Sequence, residues 1–141
     1  MPDEKIIIHT DGGSRGNPGP AASGFVVEVG DEIVCEGSKY LGKQTNNVAE
    51  YSAVVLALEW IISSLPKRYT LLPITFYLDS ELVVKQIKGI YKVKDLNLQK
   101  LHSKIQELIK QITVDITFLN VPREQNKKAD LLANQELDKH H

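Results

Sequence analysis

Strand-like segments fill the first forty residues of the chain, and helix-like segments alternate with two further strands after them. Residues 5–11, 22–29 and 32–40 are rich in residues that favour strands, and Gly30-Asp31 offers a hairpin turn between the last two. The later elements predicted from apolar spacing are a helix from 46 to 65, a strand at 74–79, helices at 80–88 and 96–111, a strand at 114–121 and a helix from 126 to about 137. This order predicts an α/β domain, a mixed sheet that starts with three antiparallel strands and carries helices on its faces.

The length and composition of the chain are those of one globular domain. Its 141 residues are too few for two comfortable domains, and 42% hydrophobic with 25% charged residues excludes a disordered chain. The apolar runs are too short to span a membrane, and the start does not resemble a signal peptide. The single cysteine, Cys35, excludes an internal disulfide and a cysteine-rich zinc site. We therefore expect a cytoplasmic monomer that forms one domain over residues 1–141 and has no membrane partner.

Charge is unevenly distributed although the net charge is only −1. Residues 1–60 contain nine acidic residues and four basic ones, whereas residues 85–104 contain six lysines and one acid, Asp95. A local basic stretch can follow a phosphate backbone. A solvated helix face explains the same charges, and the sequence leaves both interpretations open.

Four carboxylates fall at the ends of predicted elements. Asp11 and Asp79 end the first and fourth strands, Glu50 lies in the first turn of the first long helix, and Asp130 lies near the start of the last helix. Stabilisation of the helix dipole also explains Glu50 and Asp130. Asp79, however, is the only charge in an otherwise apolar strand, and if the first and fourth strands are neighbours, Asp11 and Asp79 come within ligand range.

A cluster of carboxylates requires cations to neutralise it, because like charges in one pocket repel strongly. Oxygen ligands without histidine or cysteine suit hard cations such as Mg²⁺ or Mn²⁺. Two such ions side by side can activate a water molecule and stabilise the leaving oxygen of a phosphodiester. The four acids therefore suggest metal-dependent phosphoryl transfer, provided that they converge in space.

The segment 11–20, DGGSRGNPGP, predicts a tight loop because four glycines and two prolines follow the first strand so closely. Backbone N–H groups in such a loop can approach a sugar or a phosphate. A plain hairpin connection is the alternative. The segment is not a nucleotide-binding loop, because it lacks the GxxxxGK[ST] motif and leads into a strand rather than a helix.

The segment 45–50, TNNVAE, places three polar side chains directly before Glu50. Asn46 or Asn47 can cap the first long helix, and one cap is enough. Of Thr45, Asn46 and Asn47, the residues that do not cap are free to contact a phosphate or a base edge. Ordering of the helix start by all three is the alternative.

Four motifs in order, DGGSRGNPGPAASG, TNNVAEY, YLDS and ADLLAN, make the chain resemble the type 1 ribonuclease H family from Ile6 to about Leu137. The resemblance implies a five-stranded mixed sheet of order 3-2-1-4-5 with helices on both faces. It implies hydrolysis of the RNA strand of an RNA–DNA hybrid by an endonuclease with two Mg²⁺ or Mn²⁺ ions, leaving 5′-phosphate and 3′-hydroxyl ends. With 141 residues in the sequence, we expect no separate hybrid-binding domain.

The resemblance also assigns roles to individual positions. The residues that match the family's metal-binding acids are Asp11, Glu50, Asp79 and Asp130. The residues that match the loop lying along the RNA strand are Gly12, Gly13 and Asn17. The residues that match the contacts to the DNA strand, including a phosphate pocket, are Thr45, Asn46 and Asn47.

Two departures from the family pattern lead to further expectations. The loop after the last strand reads VPREQNKK and lacks the histidine that some members use in product release, so we expect Glu124 to serve there and His9 to pack in the core. The basic, tryptophan-rich protrusion of some members is reduced to GIYKVKDLNLQ. Hybrid binding is therefore predicted to be weaker and more salt-sensitive than in members with the full insert.

Two alternative functions remain open at this point. A ribonuclease H-like nuclease can also act on double-stranded RNA, whose A-form shape and 2′-hydroxyl groups partly resemble a hybrid. A domain of the same fold can also bind nucleic acid without cleaving it. The presence of all four acids favours an enzyme over the second alternative.

Overall fold

A computed structural model describes residues 4–140, so both ends of the expected 1–141 domain lie outside the described residues. The strands are β1 (Ile6–Ser14), β2 (Gly19–Val29), β3 (Glu32–Gln44), β4 (Ile74–Leu78) and β5 (Ile116–Asn120). The helices are α1 (Asn46–Ser64), α2 (Glu81–Ile87), α3 (Leu96–Lys110) and α4 (Lys127–Lys139), with short 3₁₀ turns at Lys67–Tyr69 and Arg123–Gln125. Within residues 4–140, none of the helices combines the length and apolar character needed to cross a membrane.

The five strands form one mixed sheet in the order β3-β2-β1-β4-β5, as predicted. The strands β1, β2 and β3 pair antiparallel, whereas β4 runs parallel to β1 and β5 runs parallel to β4. The main core lies between the sheet and the helices α1 and α3, where Ile8, Leu58, Phe76 and Ile105 are fully buried. The pairing of β1 with β4 stops at His9 and Tyr77, and the functional site lies directly beyond this point.

Two glycines let helices approach the sheet backbone from opposite faces. A Cβ on Gly12 would lie 2.1 Å from the carbonyl oxygen of Ala49 in α1, and one on Gly24 would lie 2.6 Å from that of Ala129 in α4. Gly24 pairs with Asp11, the neighbour of Gly12, so the two glycines face opposite sides of the pleated sheet. Each contact docks an alanine directly before a carboxylate, and this places Glu50 and Asp130.

The predicted loop 11–20 is wrong in extent, because β1 continues through Ser14 and β2 begins at Gly19. Asp11 therefore lies inside β1 and does not end it. Gly12 and Gly13 stay in the strand because they continue the pairing with Ser23 and Ala22 of β2. Pairing between strands outweighs the weak strand preference of glycine here. The connection is reduced to residues 15–18, where Gly16 supplies a positive φ of 96°.

The start of α1 also differs from the expectation. Thr45, rather than Asn46 or Asn47, is the N-cap, and its Oγ1 accepts a hydrogen bond from the Val48 N–H at 3.2 Å. The helix then begins at Asn46, so that Glu50 lies beyond its first turn and not within it. A threonine hydroxyl is a good N-cap, and the asparagine side chain that follows it is free for the contacts described below.

Candidate active site

Three carboxylates meet just beyond the last residues that pair β1 with β4. One oxygen from each of Asp11, Glu50 and Asp79 lies within 4.8 Å of the others. The parallel pairing of β1 with β4, which runs as far as His9 with Tyr77, carries Asp11 and Asp79 to the same edge. The expectation that the first and fourth strands are neighbours is confirmed. Glu50 enters from α1, held by the contact of Ala49 with Gly12.

Asp130 lines the same cavity. Among the described residues, however, it is not one of the three acids whose oxygens lie within 4.8 Å of one another. The cavity has a volume of about 440 Å³. Its lining residues are Asp11, Gly12, Gly13, Asn46, Glu50, Asp79, Ser80, Arg123 and Asp130. The cavity thus brings together all four predicted acids with three of the six predicted substrate-binding residues.

The electrostatics of the cavity favour protonated carboxyl groups when no cation is bound. Burial, followed by the charges of Asp79 and Asp130, raises the pKa of Asp11 from 3.8 to about 8, although the Gly12 N–H donates to its Oδ1 at 2.9 Å. Burial and the neighbouring Asp11 and Asp79 raise the pKa of Glu50 well above its ordinary value. Burial also raises the pKa of Asp79, against the opposing effect of Arg123.

The donor set fits a hard divalent cation. Glu50 Oε2 is buried and has no hydrogen-bond partner among residues 4–140, so it is an acceptor without a donor. A buried carboxylate oxygen in that state is costly unless a cation lies beside it. The trio offers only oxygen ligands, which suit Mg²⁺ or Mn²⁺. Asp11, Glu50 and Asp79 are therefore residues that can hold such an ion, with Asp130 beside them.

The predicted substrate-binding residues form a connected surface beside the cavity. Asn46 Oδ1 accepts hydrogen bonds from the Ser14 N–H at 2.8 Å and the Ser14 hydroxyl at 3.0 Å. The Asn46 N–H in turn donates to Asn17 Oδ1 at 3.1 Å. These bonds tie the β1–β2 turn to the start of α1. Of the other two predicted residues, Thr45 uses its hydroxyl as the helix cap and Asn47 is half-buried in the first turn of α1.

The loop after β5 places Arg123, and not Glu124, at the carboxylate cavity. Arg123 Nε lies 3.8 Å from Asp79 Oδ2, while the Arg123 side chain is 86% exposed. Glu124 instead lines a separate cavity of about 220 Å³ together with His9 and Glu28. The structure therefore does not bring Glu124 to the four acids. Arg123 and Glu124 are adjacent in the chain, and adjacency alone does not indicate which of the two side chains faces the cavity.

The lysine-rich segment forms an exposed turn between α2 and α3. Residues 88–95, here called the lysine turn, carry Lys88, Lys92 and Lys94, all of them exposed. Ile90 and Tyr91 in the same turn are also exposed. Exposed lysines beside apolar and aromatic side chains form a surface suited to nucleic acid, with cations for phosphates and flat groups for sugars or bases.

Comparisons with known proteins agree with this geometry. A family profile described as reverse transcriptase-like matches residues 9–136. Ribonuclease HI of Halobacterium salinarum is 41% identical over 141 residues, covering 98% of this chain and 68% of that protein. The solved structure of LC11-RNase H1 in complex with an RNA/DNA hybrid is 41% identical with a TM-score of 0.87, covering 96% of this chain and 99% of that one.

One relative is much longer than this chain. The bifunctional protein Rv2228c of Mycobacterium tuberculosis is 40% identical over 136 residues, which cover 95% of this chain. This chain spans only 36% of that protein's length. The profile match and the alignments extend along nearly all of the described strands and helices. The resemblance drawn from the four motifs is confirmed, and the chain belongs to the type 1 ribonuclease H family.

Proposed function

We propose that this chain is a metal-dependent endoribonuclease that hydrolyses the RNA strand of RNA–DNA hybrids. The convergence of the Asp11, Glu50 and Asp79 carboxylates in one cavity, with a buried Glu50 oxygen lacking a donor among the described residues, carries this proposal. A relative of the same fold was solved with an RNA/DNA hybrid, which supports the choice of substrate. The products expected are 5′-phosphate and 3′-hydroxyl ends.

The four acids would hold two Mg²⁺ or Mn²⁺ ions. When bound, such ions activate a water molecule and stabilise the departing oxygen of a phosphodiester. We assign the central role to Asp11, because Asp79, Asp130 and Glu50 all lie near enough to influence its charge or to be influenced by it. Arg123 at the mouth of the cavity adds a positive charge close to the position of the substrate phosphate.

The substrate would lie across the β1–β2 edge and the start of α1. Within 4 Å and among the described residues, a Cβ on Gly13 would meet only Asn46 Oδ1, at 3.8 Å, so the backbone there is open to close approach. Gly12, Gly13 and Asn17 are suited to contact the RNA strand, where a 2′-hydroxyl distinguishes RNA from DNA. The residues proposed for the DNA strand are Thr45, Asn46 and Asn47. We expect a monomer to be sufficient, because one chain supplies all of these groups.

The test compares substrates and metals in one assay. Labelled RNA–DNA hybrid, double-stranded RNA and double-stranded DNA are each incubated with Mg²⁺, Mn²⁺ or EDTA. We expect cleavage of the RNA strand of the hybrid with either metal and none with EDTA. Equal cleavage of double-stranded RNA would support the broader nuclease. Hybrid binding without cleavage in either metal would contradict the proposal and support the non-catalytic alternative.

A further inference from the structure

Asn126 is a buried polar residue whose side chain does not serve its own helix. It lies at the N-cap position of α4 and is only 1% exposed. An asparagine at this position usually accepts a hydrogen bond from an N–H in the first turn of its helix. Among the described residues, the Asn126 side chain makes no such bond to α4. Its amide group is directed instead towards the middle of β1.

The side chain of Asn126 joins α4 to β1. Its Nδ2 donates to the carbonyl oxygen of Thr10 at 2.7 Å, directly before Asp11. Its Oδ1 lies 3.1 Å from the Nδ1 of His9. Because the NH₂ end of the amide faces the Thr10 carbonyl, the oxygen faces His9, whose Nδ1 must be the donor. The Thr10 contact lies just past the last β1–β4 pair, which is His9 with Tyr77.

Asn126 also contacts the segments that carry two further acids. Its side-chain amide lies near enough to the Asp79 carboxylate, directly after β4, to lower the pKa of that carboxyl group against the effect of burial. Its backbone carbonyl accepts a hydrogen bond from the Asp130 N–H at 3.2 Å, and its N–H donates to the Arg123 carbonyl at 2.9 Å. One buried residue thus connects the segments bearing Asp11, Asp79 and Asp130.

We propose that Asn126 is a positioning residue that holds these three carboxylate-bearing segments at the spacing needed to bind divalent cations. Like charges in the cavity push the segments apart, and the hydrogen bonds of Asn126 oppose that separation. Asn126 itself contacts neither cation nor substrate in this role. The inference rests on the proposed metal-dependent function, and it predicts which variants lose metal affinity.

Two substitutions separate positioning from helix capping. Aspartate and serine are both good N-caps, so Asn126→Asp and Asn126→Ser should behave like the wild type if Asn126 only caps α4. If it positions the acids, serine is too short to reach Thr10 and Asp79. Aspartate places a carboxylate against the Thr10 carbonyl and the Asp79 carboxylate. We then expect both variants to lose metal affinity, with the larger loss in Asn126→Asp.

The measurement is calorimetric titration of the metal-free protein with Mg²⁺ alone, without substrate, followed by hybrid cleavage kinetics. We expect Mg²⁺ affinity and kcat to fall about 10–100-fold while KM for the hybrid changes less than about twofold, as for residues that orient metal ligands. Asn120→Ala is the matched control. The Asn120 amide donates to the Leu78 carbonyl at 3.2 Å, directly before Asp79, and it connects only two strands, so we expect its Mg²⁺ affinity to stay within twofold of the wild type.

Thermal melts identify which variants are folded at the assay temperature, and Asn126→Ser, the smaller change, serves if Asn126→Asp does not fold. A folded Asn126 variant that binds Mg²⁺ within twofold of the wild type overturns the inference, as does a loss no greater than that of Asn120→Ala. A wild-type protein that binds no Mg²⁺ contradicts the proposed function itself. The two failures are therefore distinguishable.

Discussion

The carboxylate cavity and the lysine turn both concentrate like charges, but they hold them in opposite ways. The cavity buries Asp11, Glu50 and Asp79 within ligand distance of one another, with burial and mutual repulsion raising their pKa values. The lysine turn exposes Lys88, Lys92 and Lys94 to solvent. Water screens the second cluster but not the first, so only the cavity stores unfavourable electrostatic energy.

The hydrogen bonding around the two clusters differs as well. Beneath the lysine turn, Gln86 Nε2 donates to the Lys92 carbonyl at 3.3 Å, and Gln99 Nε2 donates to the Val93 carbonyl at 2.9 Å. The buried Tyr51 hydroxyl donates in turn to Gln86 Oε1. The turn is therefore ordered by satisfied hydrogen bonds, whereas the cavity keeps a buried Glu50 oxygen without a donor within the described chain. A turn whose hydrogen bonds are already made can act as a preformed binding surface. A pocket with an unpaired buried carboxylate oxygen is suited to a cation that binds that oxygen.

Asp11→Asn should have the largest effect. We expect cleavage of labelled hybrid to fall to background while the circular dichroism spectrum stays native, because the change removes a charge from a repelling cluster and keeps the shape of the side chain. Asp138→Asn, on the exposed surface in an ion pair with Arg15, is the control and should cleave normally. Retained hydrolysis in Asp11→Asn would refute the site assignment.

The stability of the metal-free protein should fall as pH rises. The pKa of Asp11 is raised from 3.8 to about 8 in the folded state, so between these values the folded protein binds more protons than the unfolded chain. The free energy of unfolding is then highest near pH 4 and declines as pH approaches 8. Urea unfolding at pH 5, 6.5 and 8 measures the decline.

Two additions sharpen this test of the cavity. Mg²⁺ should restore stability most strongly at pH 8, because it binds the ionised carboxylates of the folded state. Asp11→Asn should flatten the pH dependence, because it removes one of the groups responsible. A metal-free stability that rises from pH 5 to pH 8 would show that these acids are not buried against one another.

Gln86→Leu should loosen the lysine turn and leave the cavity intact. It leaves the buried Tyr51 hydroxyl without its acceptor and the Lys92 carbonyl without its donor, which should lower the free energy of unfolding by about 1–3 kcal/mol. We expect KM for the hybrid to rise severalfold with little change in kcat. Gln106→Leu, which removes a hydrogen bond to the Ile87 carbonyl instead, is the matched control. If kcat falls and KM does not, the turn is not a binding surface.

Replacing Lys92 and Lys94 by glutamine should have the smallest effect at low salt. If each lysine neutralises one phosphate, the plot of log affinity for the hybrid against log salt should flatten by up to about 0.9 for each phosphate that is no longer neutralised. Fluorescence anisotropy over a salt series measures the slope, and Lys67→Gln, in the 3₁₀ turn after α1, is the control. An unchanged slope would indicate that these lysines are solvated surface residues that do not bind the hybrid. The slope measured for the wild type also tests the prediction that a chain with this short turn binds the hybrid in a salt-sensitive way.

Much of the fold could be predicted because local patterns carry it. Apolar periodicity distinguishes strands from helices, and the three-strand start leaves few arrangements for the rest. The four acids also stood out locally, since charges such as Asp79 interrupt apolar segments. The family of the chain could be predicted from motifs of a few adjacent residues, and the comparisons confirm that prediction.

Other features depend on contacts between distant segments, and no local pattern encodes them. The continuation of β1 through Gly12 and Gly13 depends on pairing with β2, which overrides the turn preference of glycine. The choice of Arg123 over Glu124 depends on how the chain turns after β5. Asn126 lies at the N-cap position of α4, yet its side chain bonds Thr10, 116 positions away. Tertiary packing decides these contacts, because a side-chain amide can bond any donor or acceptor that folding places within its reach.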